Sequence, residues 1–283
     1  MAVPLEIRAT VPAQLREDVE LNLLLEGVFQ LYGSDFRWHA RTDLAQRIRK
    51  FIERHELESV FDLLGRIMQD RFCGQALCRT LLESDSNLLE KPGELSLLRE
   101  AMDTNLSSYP LPRIWIAECT ATEEIFVFAM LLAEAGLLER SSIYVTCSNE
   151  DILHDLQSAS FSTSKLTQLE SIWQQCGFGK CPREHVCFRN NEAVFSDALR
   201  SRLVWAHYNL ATDRSFNEFQ LISCRSSLFR LAHPMRRRVI SLFRESLASY
   251  GVMHFGEVAN DADCNYLKSF NLQDHNRVLW KHR

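Results

Sequence analysis

The stretch Arg113-Ile-Trp-Ile-Ala-Glu-Cys-Thr-Ala-Thr-Glu-Glu124 constrains the fold more than any other part of the chain. Arg113 to Ala117 is strand-like, a sharp polar turn follows, and Ile125 to Leu138 is an apolar helix that Gly136 helps terminate. That succession marks the edge at which a doubly wound α/β domain holds a nucleotide-like ligand. The turn normally carries glycines, so that the backbone can approach the ligand without a Cβ in the way. Here it carries none, and Glu118 places a carboxylate in it. Glycine is scarce throughout, with 10 in 283 residues, which fits a helix-rich fold.

The flanking sequence predicts two domains. Residues 1–90 read as helical, with Pro12 at a first helical position. Leu15, Val19, Leu23 and Gly27 form the expected inward stripe of the first helix, widened by Leu25, Val28 and Phe29, and Gly33 ends it. Thr42 or Asp43 can cap a second helix and Ser59 a third, and a fourth covers roughly Gly74 to Leu82. Residues 91–112 read as a linker that opens on the turn signal Pro92-Gly93. Residues 113–283 alternate strand and helix signals, the pattern of a largely parallel sheet. The rhythm breaks over residues 158–202. There, two β-rich runs split by Asn190-Asn191 predict an antiparallel hairpin, and so a small β insertion. The fold class expected is α/β, with an all-α N-terminal domain before a Rossmann-like domain.

Composition excludes several functions. A net charge of -5 argues against a nucleic-acid footprint over the whole chain. No apolar run approaches the ~18 residues of a membrane span. Nine scattered cysteines suit a reducing cytoplasm better than a disulfide framework, and the first ten residues lack an export pattern.

Three further stretches complete the picture: Glu20-Leu-Asn-Leu-Leu-Leu-Glu26 with Tyr32-Gly-Ser-Asp-Phe-Arg37, then Asn209-Leu-Ala-Thr-Asp213, and Ser215-Phe-Asn-Glu-Phe219 with Cys224-Arg225. Together with Trp115 to Glu124 they resemble the CheR-type chemoreceptor methyltransferases, over about Leu21 to Glu257. The resemblance implies an S-adenosylmethionine-dependent methyltransferase domain, glutamate side chains of chemotaxis receptors as substrate, and a chemoreceptor or other chemosensory protein as partner. Charge and hydropathy, as above, leave no nucleic acid and no insertion into a membrane among the expected partners. It places S-adenosylmethionine or S-adenosylhomocysteine against Ala117, Glu118, Glu123, Cys147, Asn209, Leu210 and Ser226.

Departures from the family pattern gather in that pocket. The family's two glycines are Glu118 and Thr122, and the acidic residue after the second strand is Cys147, a poor acceptor for ribose hydroxyls. The family pattern Asn-x-Thr-x-x-x-Arg falls on Ser84, Ser86 and Glu90, so a cation near the reacting groups becomes an anion. The family's Cys-Arg-Asn-Val-Leu-Ile-Tyr becomes Cys224 to Arg230, losing an Asn and a Tyr. A carboxylate at 118 could face the carboxylate of the ligand's methionine part, a repulsion of roughly 4 kcal/mol at 4 Å and an effective dielectric of 20. The reading that follows is a family scaffold kept as a binding or regulatory module with impaired catalysis. The alternatives are an active glutamate methyltransferase, and a sensor of another nucleotide.

Other constellations are weaker. Arg41, Arg47, Arg49 and Lys50 on the second helix form a candidate docking face for an acidic receptor, against the alternative of a solvated helix side. Arg225 and Arg230 with Arg236-Arg-Arg238 could cradle an anionic phosphate. Cys176, Cys181, His185 and Cys187 have the residue types for zinc but not its usual spacing, and no metal is expected. His207 and His233 lack an evident catalytic partner.

Overall fold

The computed structural model describes residues 12–83, 88–216, 218–225, 228–255, 267, 270–272 and 279–282. The chain divides into two compact units that part between Leu81 and Leu82.

The first unit contains α1 (Ala13–Tyr32), α2 (Arg41–Arg54), α3 (Val60–Gln69) and most of α4 (Arg71–Leu82). Gly33 ends α1 at φ 71°, a left-handed conformation, and its N–H reaches the Phe29 carbonyl. The inward stripe expected on α1 is corrected. Leu15, Val19 and Leu23 are about half exposed, while Leu21, Leu24, Leu25 and Val28 are buried. Apolar side chains occupy more than one row of this helix, so spacing alone does not choose the seam. The inner row is chosen by packing on α3, where a Cβ on Gly27 would stand 2.8 Å from Leu64. Ser59 caps α3 as expected, its hydroxyl accepting from the Asp62 N–H. Neither Thr42 nor Asp43 caps α2. That helix begins at Arg41 without a side-chain cap, and Asp43 lies in its first turn.

The second unit opens with α5 (Pro92–Asn105), a helix where the sequence suggested a turn and linker. Pro92 is its first residue, and a proline there is pre-set for helix rather than a breaker. The elements β1 (Arg113–Ile116), α6 (Thr122–Glu134), β2 (Ser142–Cys147) and α7 (Glu150–Leu156) follow. Next come β3 (Ser160–Ser162), α8 (Thr163–Gln175), β4 (Val186–Arg189), β5 (Glu192–Phe195) and α9 (Asp197–Arg200). The unit closes with β6 (Leu203–His207), β7 (Phe219–Ser223), α10 (His233–Ser246), β8 (Leu247–His254), β9 (Phe270–Leu272) and β10 (Leu279–His282).

Among the described residues the main sheet has seven strands in the order β6-β2-β1-β7-β8-β10-β9. The first five run parallel, and β10 and β9 are antiparallel. From β1 the chain builds outward through β2 and β6, then returns to place β7 on the other side of β1. The strand order thus reverses at β1, and ligands of open α/β sheets bind beyond the carboxyl ends at such a reversal. Trp115 anchors the core beneath this edge, with ring centroids of Tyr208, Phe216, Phe219 and Phe243 at 5.1 to 5.3 Å from its own.

The insertion forms a three-stranded antiparallel sheet, β3-β5-β4. Asn190 and Asn191 turn its hairpin at φ 45° and 66°, as a two-residue turn of that kind demands. The insertion is not β alone. It includes α8, which Ser162 caps and which buries Leu166, Leu169, Ile172 and Trp173. A polar run dilutes that helical spacing in the sequence.

Candidate functional site at the carboxyl edge of the sheet

The turn after β1 is tied to both neighbouring strands. The Ala117 N–H donates to the Ser223 carbonyl and the Cys119 N–H to the Thr146 carbonyl, each at 2.8 Å. Between them Glu118 takes φ 53°. A residue with a side chain in this left-handed region costs roughly 1–3 kcal/mol. The backbone therefore keeps the form of a glycine turn although the glycine is gone.

The Glu118 side chain runs toward the end of β2. Its Oε1 accepts from the Ser148 hydroxyl at 2.7 Å, the Ser148 N–H at 3.0 Å and the Cys147 thiol at 3.5 Å. His207, at the end of β6, holds the far side of Ser148, with Nε2 3.0 Å from its carbonyl oxygen. The carboxylate thus lies at the end of β2, beside the end of β6. Glu118 is only 5% exposed. Burial pushes its pKa up from 4.5, held back by the hydrogen bonds from Ser148 and Cys147 and by His207.

The first turn of α6 carries Thr122, half-buried, and two carboxylates placed favourably at a helix N-terminus. Glu123 pairs with Lys165 of α8. Glu124 is buried, and burial raises its pKa against the charge of Arg225, with Glu94 adding to the rise. The loop after β6 is fixed by Asn209, whose Oδ1 accepts from the Ala211 N–H at 2.8 Å and whose N–H donates to Asp213 at 2.9 Å. Leu210 beside it is buried. The structure thus gathers Ala117, Glu118, Cys147, Asn209 and Leu210 along one edge, because β1, β2 and β6 are adjacent and parallel. Ser226, Ser84 and Ser86 lie outside the described residues.

A buried ionic cluster underlies this edge and was not read from the sequence. Glu94 Oε1 accepts from Arg225 Nε at 3.2 Å and sits 2.9 Å from His254 Nε2. Lys91 approaches the other carboxylate oxygen at 3.6 Å. His254 Nδ1 in turn lies 3.0 Å from the Ser223 hydroxyl. Burial alone would raise the Glu94 pKa, but the hydrogen bond from His254 and the charges of His254, Arg225 and Lys91 hold it below 4.5.

The arginines read as an anion cradle are directed to acceptors of the chain itself. Arg225 bonds Glu94, and Arg230 donates to the carbonyls of Leu82 and Glu83. Arg236 donates to the Leu231 carbonyl and Arg238 to those of Thr212 and Asp213. On α2, Arg47 is turned inward onto Asp43 and the Thr80 carbonyl, and Arg41 bonds Asn22. Arg49 and Lys50 are exposed. Glu90 is exposed at the end of a single helical turn, Leu88–Glu90. Cys181 and Cys187 are exposed, and no group of three or more His, Cys, Asp or Glu among the described residues could hold a metal ion. His233 opens α10. No helix of the described residues is long and apolar enough to cross a membrane.

A raised Glu118 pKa has a measurable consequence. An acid whose folded pKa lies above its ordinary 4.5 favours folding while protonated, and that contribution is lost as pH rises from 4.5 through the folded value. Glu118→Gln removes this loss. The melting temperature of the variant minus that of wild type is expected to become more positive between about pH 4.5 and pH 8. A difference that is flat or falls with pH contradicts the assignment.

With this geometry in place, the match to known proteins has a structural basis. Residues 94–265, more than half of the chain, match the family described as CheR methyltransferase, SAM binding domain. The second unit is therefore an α/β domain of the S-adenosylmethionine-dependent methyltransferase class. Within that class, the chain belongs to the CheR methyltransferase family. It is 29% identical over 239 residues to a Pseudomonas putida protein named "Putative methyltransferase Cher3", covering 84% of this chain and 88% of that one. Among solved structures it is similar to the N-methyltransferase NodS of Bradyrhizobium japonicum in complex with S-adenosyl-L-homocysteine. That likeness has a TM-score of 0.37 and 13% identity, over 70% of this chain and 89% of NodS. A methyltransferase from Geobacter sulfurreducens, also with S-adenosyl-L-homocysteine, is similar with a TM-score of 0.31 and 11% identity, over 61% and 56% of the two chains.

Proposed function

We propose that the α/β unit binds S-adenosylmethionine or S-adenosylhomocysteine, and that the protein serves mainly as a binding module in chemosensory signalling, with methyl transfer to receptor glutamates impaired. The observation that carries the binding half is the turn at Glu118. It keeps the left-handed backbone at φ 53° and moves its side chain onto Ser148. The residues present thus fit an adenosyl ligand: the close-approach turn, the N-terminus of α6 and an acidic group at the end of β2 all lie on one edge. Ala117, Glu118, Cys147, Asn209 and Leu210 would line its seat. When bound, the ligand would supply an activated methyl group.

The impaired half rests on the groups around the reacting centre. Where the family pattern has a cation, Glu90 carries a negative charge. Where it has a tyrosine, Arg230 is held on the Leu82 and Glu83 carbonyls. Methyl transfer to a carboxylate is an in-line displacement that depends on placing both reactants. A negative charge in place of a positive one opposes the approach of a glutamate carboxylate. Arg49 and Lys50, exposed on α2, are the side chains we assign to docking an acidic receptor helix in the cytoplasm. Arg47 packs within its own domain instead.

Titration calorimetry of the full chain tests the binding half. S-adenosylhomocysteine is expected to bind one-to-one, whereas ATP and GTP produce no heat of binding. Nucleotide binding without S-adenosylhomocysteine binding contradicts the proposal and favours the sensor reading.

A further inference from the structure

We infer that Glu118 is the ribose-recognition residue of this chain, its carboxylate delivered from the β1 turn to the place left empty by the missing acidic side chain at the end of β2. This rests on the adenosyl-binding reading above. In doubly wound folds an acidic group beyond the second strand accepts hydrogen bonds from ribose hydroxyls. Position 147 offers a thiol, a weak acceptor. Glu118 Oε1 stands 3.5 Å from that thiol and 3.0 Å from the next backbone N–H. The carboxylate is therefore within one hydrogen bond of the strand end from which the family would present it. The parallel pairing of β1 and β2 makes this possible. Ile116 lies opposite Val145, so the residues two further on, 118 and 147, emerge side by side.

Three features argue that the arrangement is built rather than incidental. Glu118 keeps a left-handed backbone that most side chains avoid, and such strain persists where the surroundings enforce it, commonly at ligand sites. Both donors of Ser148 fix the carboxylate, and His207 fixes Ser148 from the other side. The Cys147 thiol shares the same oxygen at 3.5 Å. A thiol is a weak donor, which a ligand hydroxyl displaces readily. A merely structural role, holding the Ser148 N–H, needs only a neutral acceptor, and glutamine would fill it. A diol acceptor gains from negative charge, because charge-assisted hydrogen bonds are about twice as strong as neutral ones.

That difference sets the experiment. The full chain is titrated with S-adenosylhomocysteine and with its 2′-deoxy and 3′-deoxy analogues. Wild type is expected to prefer the intact diol by on the order of tenfold or more. In Glu118→Gln the preference is expected to shrink to about threefold or less. In the double variant Glu118→Gly with Cys147→Asp, which returns the acid to β2, the preference is expected to reappear. A wild type without preference, or a Glu118→Gln variant that keeps it, overturns the inference while leaving the adenosyl reading intact. Should Glu118→Gln fail to fold, the wild-type ratio and the double variant decide. A double variant that binds without preference overturns the inference. Absence of binding in wild type overturns the adenosyl reading and the inference with it.

Discussion

Replacing Glu94 by alanine is expected to destabilise the α/β unit by about 3–5 kcal/mol. The carboxylate is the shared acceptor for Arg225 and His254, whose side chains are 2% and 0% exposed. Removing it takes the shared carboxylate away from a buried guanidinium and a buried imidazole. Breaking a buried ion-pair network is among the few causes of losses this large. For a unit of this size the melting temperature should fall by on the order of 10 °C. Glu94→Gln keeps an acceptor and should lose clearly less. Because the Glu94 pKa is held below 4.5, its stabilising contribution is full above 4.5 and fades as pH falls through the folded value. The gap between wild type and Glu94→Ala should therefore narrow under acid. Melting curves at neutral and acid pH check both points. A fall of less than about 2 °C at neutral pH would show that the cluster is solvated and contributes little.

The second large effect is expected at Trp115. The side chain is fully buried at the centre of the aromatic cluster of Tyr208, Phe216, Phe219 and Phe243. Its indole N–H donates to the Thr146 hydroxyl at 2.8 Å, bridging β1 to β2 directly beneath the Glu118 turn. Trp115→Ala removes the largest buried side chain on β1 and should cost about 3–5 kcal/mol through lost burial and the cavity left behind. Trp115→Phe retains most of the apolar volume but strands the Thr146 hydroxyl, and should cost on the order of 1–2 kcal/mol. Denaturant titration should separate the two. Equal losses would mean that the hydrogen bond, not the packing, carries the effect.

The same residues show what the sequence could and could not disclose. The strand, turn and helix from Arg113 to Glu124 were legible because alternation, turn composition and an apolar helical run all change within twelve residues. The Asn190-Asn191 hairpin was legible because few residues tolerate two consecutive left-handed positions. The helix α5 was hidden because Pro92-Gly93 serves equally as a turn and as a helix start, and only the buried Leu95, Leu98 and Met102 behind it decide. On α1 the seam was misread because rows of apolar residues lay on both sides. The site was legible at strand ends, where position follows from topology. Its electrostatics were not. Glu118 reaches Ser148 across 30 residues and Glu94 meets His254 across 160, distances that no local pattern spans. Adjacent parallel strands do put the residues after them side by side, and that rule links 118 with 147, next to Ser148.

The proposed function requires that this family pocket seat its methyl donor and yet transfer the methyl group poorly. A single-turnover experiment tests it most directly. Full-length protein in excess is mixed with radiolabelled S-adenosylmethionine and peptides from glutamate-bearing receptor helices, and protein-bound donor and methyl ester are counted in the same samples. The donor is expected to be bound and to stay unconsumed. A burst of methyl ester matching the bound donor, or no bound donor at all, contradicts the proposal.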